Sequence, residues 1–256
     1  MIDAIFLKFK NVIYCILCIF VKNDMKFYKL DYGCDNEIVG NQFPQVWDFV
    51  KGYSPKPEDN GVFSLYQDYN PLFPEKEPDL SGLKLASGAQ YTDFLSSAFS
   101  FNIFLFSENA KVLLENLNLD MHRIYPAKVI SLRKKTSMDY YMMKIISKRW
   151  EFVDFANSKL YEKIEDEDSL DDVTINPVTV RSLEEFREKY DNSDFDNEWN
   201  YKIEAKRIKM LDSFYDLHLD MFKLDRFDFS WYVSERFYDM VFSNNLTGLE
   251  FEEVDL

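Results

Sequence analysis

IFLFSE (residues 103–108) and WYVSE (residues 231–235) are two copies of one pattern, a short apolar run that ends in Ser-Glu. When the sequence is shifted against itself by 127 residues, five positions between residues 93 and 119 find an identical partner without a gap. The pairs are Asp93 and Asp220, Ser107 and Ser234, Glu108 and Glu235, Asn118 and Asn245, and Leu119 and Leu246. An unbroken spacing of this kind indicates an internal repeat.

The residue types in each copy predict a strand, a capped helix and a second strand. The apolar run has the length of a buried strand. Ser107 and Ser234 then follow as N-cap residues, and Glu108 and Glu235 place a negative charge at the positive end of the helix dipole. Apolar residues continue at helical spacing. We expect each helix to end at its asparagine, Asn118 or Asn245, because asparagine tolerates the left-handed conformation. The second strands are expected at residues 122–130 and 249–254.

The rest of the chain predicts a mixed α+β fold with short, mostly antiparallel strands. Residues 140–147 form an apolar run of strand length, and residues 150–155 are expected to pair with it. Residues 173–180 predict an edge strand, because Pro177 lacks a backbone N–H. Ser182 with Glu185 has the spacing of a capping box, and residues 206–211 predict a further strand. We expect one continuous domain over residues 25–256, with two lobes that divide near residue 160.

Residues 1–24 differ in composition from the remainder of the chain. Two lysines precede ten apolar residues at 12–21, as in a signal peptide, but the run is short for a membrane span and no small-x-small cleavage site comes after it. Met25 begins a sequence typical of the first strand of a soluble domain. We interpret residues 1–24 as an over-long gene prediction, and an uncleaved membrane anchor is the alternative.

Composition limits the function classes. The formal net charge of -15 discourages binding to nucleic acid or anionic lipid and favours a basic protein partner. The chain has 7 glycines and neither glycine-rich phosphate motif, so we predict no nucleotide cofactor. Three cysteines give no disulfide framework, which is typical of a reducing compartment, and we predict a cytoplasmic protein.

The charge is distributed unevenly. Residues 123–149 carry eight basic residues and one acidic residue, which we interpret as solvent-facing charge on strands. Residues 162–198 carry fourteen acidic residues and four basic ones. Within that segment we predict a hydrated acidic loop formed by Glu165, Asp166, Glu167, Asp168, Asp171 and Asp172.

No pattern predicts catalysis. His122 and His218 have no recognisable motif around them, and the acidic loop lacks the glycine and the final glutamate of a calcium loop. Capping alone accounts for the four Ser-Glu residues. We therefore predict no catalytic residue, no metal ligand and no cofactor. A metal-dependent hydrolase that uses Asp and Glu stays as the alternative, because 45 acidic residues make carboxylate pairs common.

Several short patches occur in a fixed order along the chain: residues 103–108, Tyr125-Pro126, Tyr140-Tyr141, and Val153-Asp154 with Ser158, followed by 220–222, 231–235 and 247–251. Together they resemble immunity protein family eleven of bacterial polymorphic toxin systems. The resemblance covers roughly residues 90–256. It implies an intracellular, non-catalytic protein that protects its producer by binding and covering a cognate toxin. The acidic loop would then face a basic toxin. A membrane-tethered accessory protein is a third possibility, and it depends on residues 1–24 being translated.

Overall fold

The computed structural model describes residues 25–66, 72–99, 102–166, 169–191, 201–224 and 230–256. Side chains at 164–173, 190–191 and 201–202 are not part of this description. Residues 1–24, and with them both interpretations of the N-terminal segment, lie outside the described residues. No helix within the described ranges is long and apolar enough to cross a membrane.

The fold is mixed α+β, as predicted, with more strand than helix in the described ranges. The strands are β1 Phe27–Tyr32, β2 Val46–Phe49, β3 Leu83–Leu85, β4 Phe94–Leu95, β5 Ile103–Phe106, β6 Met121–Ser131, β7 Thr136–Ile146, β8 Lys159–Asp166, β9 Ser169–Val178, β10 Tyr201–Arg207, β11 Met221–Lys223, β12 Trp231–Ser234 and β13 Leu249–Val254. The α-helices are α1 Asn36–Val39, α2 Glu108–Leu114, α3 Leu183–Asp191, α4 Asp212–Tyr215 and α5 Glu235–Ser243. Short 3-10 helices lie at Pro57–Asp59, Val62–Leu65 and Trp150–Phe152.

The chain divides into two compact units. The larger unit comprises Lys29–Arg149 and Leu219–Glu252. Among the described residues, the smaller unit comprises Trp150–His218 and Glu253–Leu256, together with residues 25–28.

A six-stranded sheet of order β2-β3-β6-β7-β5-β4 forms the centre of the larger unit. Its longest pair is the hairpin of β6 and β7, which runs antiparallel from Met121 opposite Ile146 to Ser131 opposite Thr136. β3 and β6 are parallel, whereas the other pairs in this sheet are antiparallel. One face buries an apolar cluster that includes Leu83, Leu105, Val129 and Met142. A further sheet of order β11-β12-β1-β13 brings the first described strand beside the last.

The smaller unit contains a three-stranded antiparallel sheet of order β10-β8-β9. β9 lies at its edge, as Pro177 predicted. Phe186 on α3 is fully buried, and its ring lies 5.9 Å from that of Trp150 and 5.6 Å from that of Phe155. α3 begins as predicted, because Ser182 Oγ accepts a hydrogen bond from the Glu185 N–H (3.2 Å).

Three local predictions are wrong. Residues 150–155 do not pair with β7, whose neighbours are β5 and β6, and instead contain a 3-10 helix at Trp150–Phe152. The strand expected at 206–211 lies earlier, at Tyr201–Arg207, where it pairs with β8. α2 ends at Leu114 rather than at Asn118, whereas Asn245, two residues after the end of α5, does adopt a positive φ of 52°.

Candidate functional site

The two Ser-Glu sequences occupy matching positions. Ser107 is the N-cap of α2, and its Oγ accepts a hydrogen bond from the Ala110 N–H (3.3 Å). Ser234 is the N-cap of α5, and its Oγ accepts from the Phe237 N–H (3.2 Å). In both copies the segment runs from strand to helix to strand: β5, α2 and β6 in one, and β12, α5 and β13 in the other.

The repeated aspartates connect the two copies crosswise. Asp93 Oδ1 accepts a hydrogen bond from Ser107 Oγ (2.8 Å), while its Oδ2 accepts from the N–H and Oγ1 of Thr247, both at 3.0 Å. Asp220 Oδ1 accepts from Ser234 Oγ (2.6 Å), while its Oδ2 accepts from the Asn118 N–H (2.8 Å). Each carboxylate therefore binds its own N-cap serine and the chain that follows the helix of the other copy. All of these contacts lie in the larger unit.

The glutamates of the pattern lie on the surface. Glu108 and Glu235 are exposed in the first turns of α2 and α5, where their charge complements the helix dipole. Glu108 also accepts a hydrogen bond from the Tyr141 hydroxyl, which raises the pKa of that hydroxyl. These contacts therefore concern the first turns of the two helices.

A buried ion pair that sequence reasoning missed lies at the base of the β6–β7 hairpin. Asp120 is buried and accepts hydrogen bonds from the guanidinium of Arg149, including Nε at 3.1 Å, and from Ser147 Oγ. Ser147 Oγ in turn accepts from the Lys223 N–H (2.8 Å), which ties β11 to this cluster. Aspartate and arginine separated by 29 positions give no local signal, so only the strand register brings them together.

Lys144 is a second buried charge that the sequence did not reveal. It lies on β7, opposite Ile103 and Arg123, and its side chain is only 3% exposed. Burial disfavours the charged amine and lowers the pKa of Lys144 to about 8.

The two histidines lie in different units. His122 Nδ1 is 2.8 Å from the Asp120 carbonyl oxygen, and His218 adopts a positive φ of 48°. Within the described residues, no three His, Cys, Asp or Glu side chains are grouped so that they could hold a metal ion.

The described residues of the predicted acidic loop lie in strands, so the prediction of a loop is wrong for them. Glu165 and Asp166 end β8, and Asp171 and Asp172 lie in β9, within one antiparallel hairpin. Glu167 and Asp168 lie outside the described residues. We call the backbone of β8 and β9 (Lys159–Asp166 and Ser169–Val178) the acidic hairpin.

β9, the edge strand of the acidic hairpin, is exposed to solvent in the residues that follow Asp171 and Asp172. Residues 174–177 of β9 are exposed, and Ile175 presents 59% of its surface. Asn176 bonds back to Glu162 on β8 (3.1 Å), which fixes the register locally. Among the described strands, β9 pairs with β8 alone. An edge strand of this kind offers backbone donors and acceptors to another chain.

Comparison with known families supplies the identification. The model of the Immunity protein family (Imm11) matches residues 26–195, more than half of the chain. The chain belongs to this family. Among curated proteins, none matches the chain significantly.

Membership in Imm11 implies a toxin-neutralising immunity role and a cognate toxin as partner. The matched residues differ from those predicted from the resemblance, which are roughly residues 90–256. The family model begins at residue 26 and so includes the N-terminal third, and it ends at residue 195, before β10 to β13. It does include the whole acidic hairpin.

Proposed function

We propose that this Imm11 protein binds its cognate toxin and neutralises it by covering the toxin's active site, without chemistry of its own. The observation that supports this proposal is family membership. Ser107 and Ser234 cap helices and Asp120 is paired with Arg149, so we assign these side chains structural roles.

The acidic hairpin is the surface we propose for toxin contact. Its two strands carry five acidic residues against Lys159 and Lys163, and β9 has an open edge; the acidic residues are Glu162, Glu165, Asp166, Asp171 and Asp172. A negative field of this kind accelerates association with a basic partner, because complementary charge steers the encounter. A basic toxin, such as one that acts on nucleic acid, is the partner this charge fits.

The test uses the toxin domain encoded beside the gene, purified in an inactive form. Asp166, Asp168, Asp171 and Asp172 are changed together to Asn. We expect the association rate at low salt to fall at least about tenfold, and its dependence on salt to weaken, because on-rates respond to charge at the interface. Surface plasmon resonance at several salt concentrations measures both.

A control variant removes the same number of charges elsewhere. Glu75, Glu77, Asp239 and Glu252 are exposed residues of the larger unit, and they are changed to Gln, Gln, Asn and Gln. If both variants bind with the same rate and the same salt dependence, the effect reflects net charge only and the hairpin is not the contact surface.

The stoichiometry of inhibition distinguishes a protein that covers the toxin's active site from an enzyme that inactivates the toxin. Active toxin is titrated with increasing amounts of this protein, and residual toxin activity is measured after a short and a long incubation. We expect inhibition to reach completion near one equivalent and to be independent of time. Progressive loss of toxin activity at a small fraction of an equivalent would instead indicate an enzyme.

A further inference from the structure

The sheet of the smaller unit has two edge strands, and the sequence protects them differently. β10, at one edge, has the sequence YKIEAKR with three basic residues, and its register against β8 shifts after Ala205. Lysines and irregularities of this kind are the usual means by which an edge strand avoids pairing with a further strand. β9, at the other edge, has no basic residue, and its register against β8 is unbroken from Val173 to Val178. Of these two edges, β9 is therefore the one that can accept a strand.

Pro177 shows which backbone groups of β9 face its open edge. Proline has no N–H, yet Pro177 lies opposite Tyr161 within the regular part of the ladder. In an antiparallel ladder, hydrogen-bonded pairs alternate with pairs that are not hydrogen-bonded. The pair of Pro177 and Tyr161 is of the second kind, because a hydrogen-bonded pair requires an N–H from each residue. The neighbouring pairs, such as Asn176 with Glu162, are then the hydrogen-bonded ones.

This alternation assigns a direction to each backbone group between residues 173 and 177. Thr174 and Asn176 bond to β8. Val173 and Ile175 direct their N–H and C=O away from β8, and Pro177 directs its C=O the same way. Residues 174–177 are exposed, and β8 is the one described strand that pairs with β9. The open edge thus presents donors and acceptors at regular spacing, which is the arrangement that β-strand addition uses.

The charge of the hairpin determines which kind of strand fits this edge. Asp171 and Asp172 directly precede the outward-facing groups, and the two strands carry five acidic residues against two lysines. A second copy of the chain would bring a further net charge of -15, and a large net charge of one sign keeps proteins apart. A strand with lysine or arginine fits instead, because opposite charges on adjacent strands stabilise pairing. Ile175, which is 59% exposed, adds an apolar contact.

We propose that the toxin supplies an extended, basic segment that pairs with residues 173–177 of β9 as a fourth strand of this sheet. This inference rests on the proposed function and adds the mode of binding to it. The backbone of the added segment provides affinity, and its basic side chains provide preference for this edge. Binding then depends on single N–H groups of β9, whereas charge attraction alone depends on the number of carboxylates.

Amide hydrogen exchange, followed by NMR on the ¹⁵N-labelled full chain, measures each N–H separately. In the free protein the amides of Val173 and Ile175, the outward amides, should exchange at least about tenfold faster than those of Thr174 and Asn176, which bond to β8. Saturation with the inactive toxin domain should slow the exchange of the outward amides at least about tenfold, because the added strand then accepts their hydrogen bonds.

Ile175→Pro is the variant that closes the edge. It removes one outward N–H and places a ring in the path of an added strand, so toxin affinity should fall about tenfold or more. Ile175→Ala is the matched control, because it removes the same apolar contact but keeps the N–H. It should weaken binding only about two- to threefold.

The melting temperature tests the assigned directions without the toxin. Ile175→Pro breaks no bond to β8, so the melting temperature should hardly change. Thr174→Pro removes an N–H that bonds to β8, so it should lower the melting temperature. Equal decreases for the two variants would mean that the outward groups are assigned wrongly.

The remaining outcomes separate this inference from the proposed function. Unchanged affinity of the Ile175→Pro variant, or outward amides that the toxin does not protect, would overturn strand addition and leave the proposed function intact. Equal losses of affinity for Ile175→Pro and Ile175→Ala would assign the contact to the side chain and also overturn it. Protection of the outward amides in the chain alone, with a dimer in sedimentation velocity, would identify a second copy as the occupant. Absence of toxin binding by the parent chain would overturn both proposals.

Discussion

Replacing Asp220 by asparagine should destabilise the protein by about 2–4 kcal/mol, since the carboxylate holds the two copies of the repeat together. Asp220 is only 4% exposed and accepts hydrogen bonds from three groups: Ser234 Oγ, the Asn118 N–H and, at 3.1 Å, Arg236 Nη1. The amide of asparagine has one oxygen, so one donor faces an NH₂ group and the other two lose a charged acceptor. Hydrogen bonds to charged groups contribute about 1.5–3 kcal/mol each, against about 0.5–1.5 for neutral ones.

Urea unfolding of the variant and the parent, followed by tryptophan fluorescence, measures this loss from the midpoint at an unchanged slope. A companion thermal scan should show a decrease of about 4–16 °C, at roughly 2–4 °C for each kcal/mol. Asp139→Asn is the control, because Asp139 is largely exposed and forms an exposed ion pair with Lys128, whose Nζ lies 3.7 Å from its Oδ1. Exposed pairs of this kind contribute about 0–1 kcal/mol.

A double-mutant cycle with Ser234→Ala tests the mechanism. Because Ser234 bonds both Asp220 and the first turn of α5, the two substitutions should be non-additive by about 1 kcal/mol. A loss no larger than that of Asp139→Asn, or strict additivity with Ser234→Ala, would refute the role assigned to this carboxylate.

Three further predictions concern buried positions, and urea unfolding measures each. Lys144 has a pKa of about 8 in the folded state and 10.5 when unfolded. Burial of its charge therefore lowers the free energy of unfolding by the full amount below pH 8, and this loss of stability disappears as the pH rises from 8 to above 10.5. Raising the pH from 7 to 10 should therefore stabilise the parent relative to Lys144→Met by about 2 kcal/mol, and an unchanged difference would contradict this assignment. Gly248→Ala should cost about 2–4 kcal/mol, because Gly248 has a φ of +100° and an added Cβ would lie 2.1 Å from the Phe94 carbonyl oxygen. Gly88→Ala is the control, because Gly88 also has a positive φ (+108°) but an added Cβ would contact nothing there. It should lower the free energy of unfolding by less than Gly248→Ala, and the difference measures the clash. Phe186→Ala should cost about 3–5 kcal/mol by leaving a cavity beside Trp150 and Phe155, and a smaller loss would mean that these rings collapse into the space.

Local chemistry made the repeated segments predictable. An apolar run followed by Ser-Glu and helical periodicity needs only neighbouring residues to form its strand and capped helix. The edge position of β9 was equally predictable, because Pro177 restricts its own backbone whatever the rest of the chain does.

What the sequence did not reveal depends on distant partners. The sequence WEFVDF at 150–155 has the composition of a strand, but β5 occupies the side of β7 where it would pair. The acidic hairpin has the composition of a loop, yet its two strands pair with each other and β8 also pairs with β10, which keeps them extended. For the same reason, the partners of Asp120 depend on register and packing, which residue types alone do not encode.

The crosswise hydrogen bonds of Asp93 and Asp220 determine where the chain can be shortened. A fragment cut at the end of the family match, residue 195, would keep Asp93 but remove Thr247, and it would also lose three of the four strands of the sheet β11-β12-β1-β13. The N-terminal copy would then expose the surface on which its partner normally rests. We therefore expect a fragment that ends at residue 195 to be less stable than the full chain.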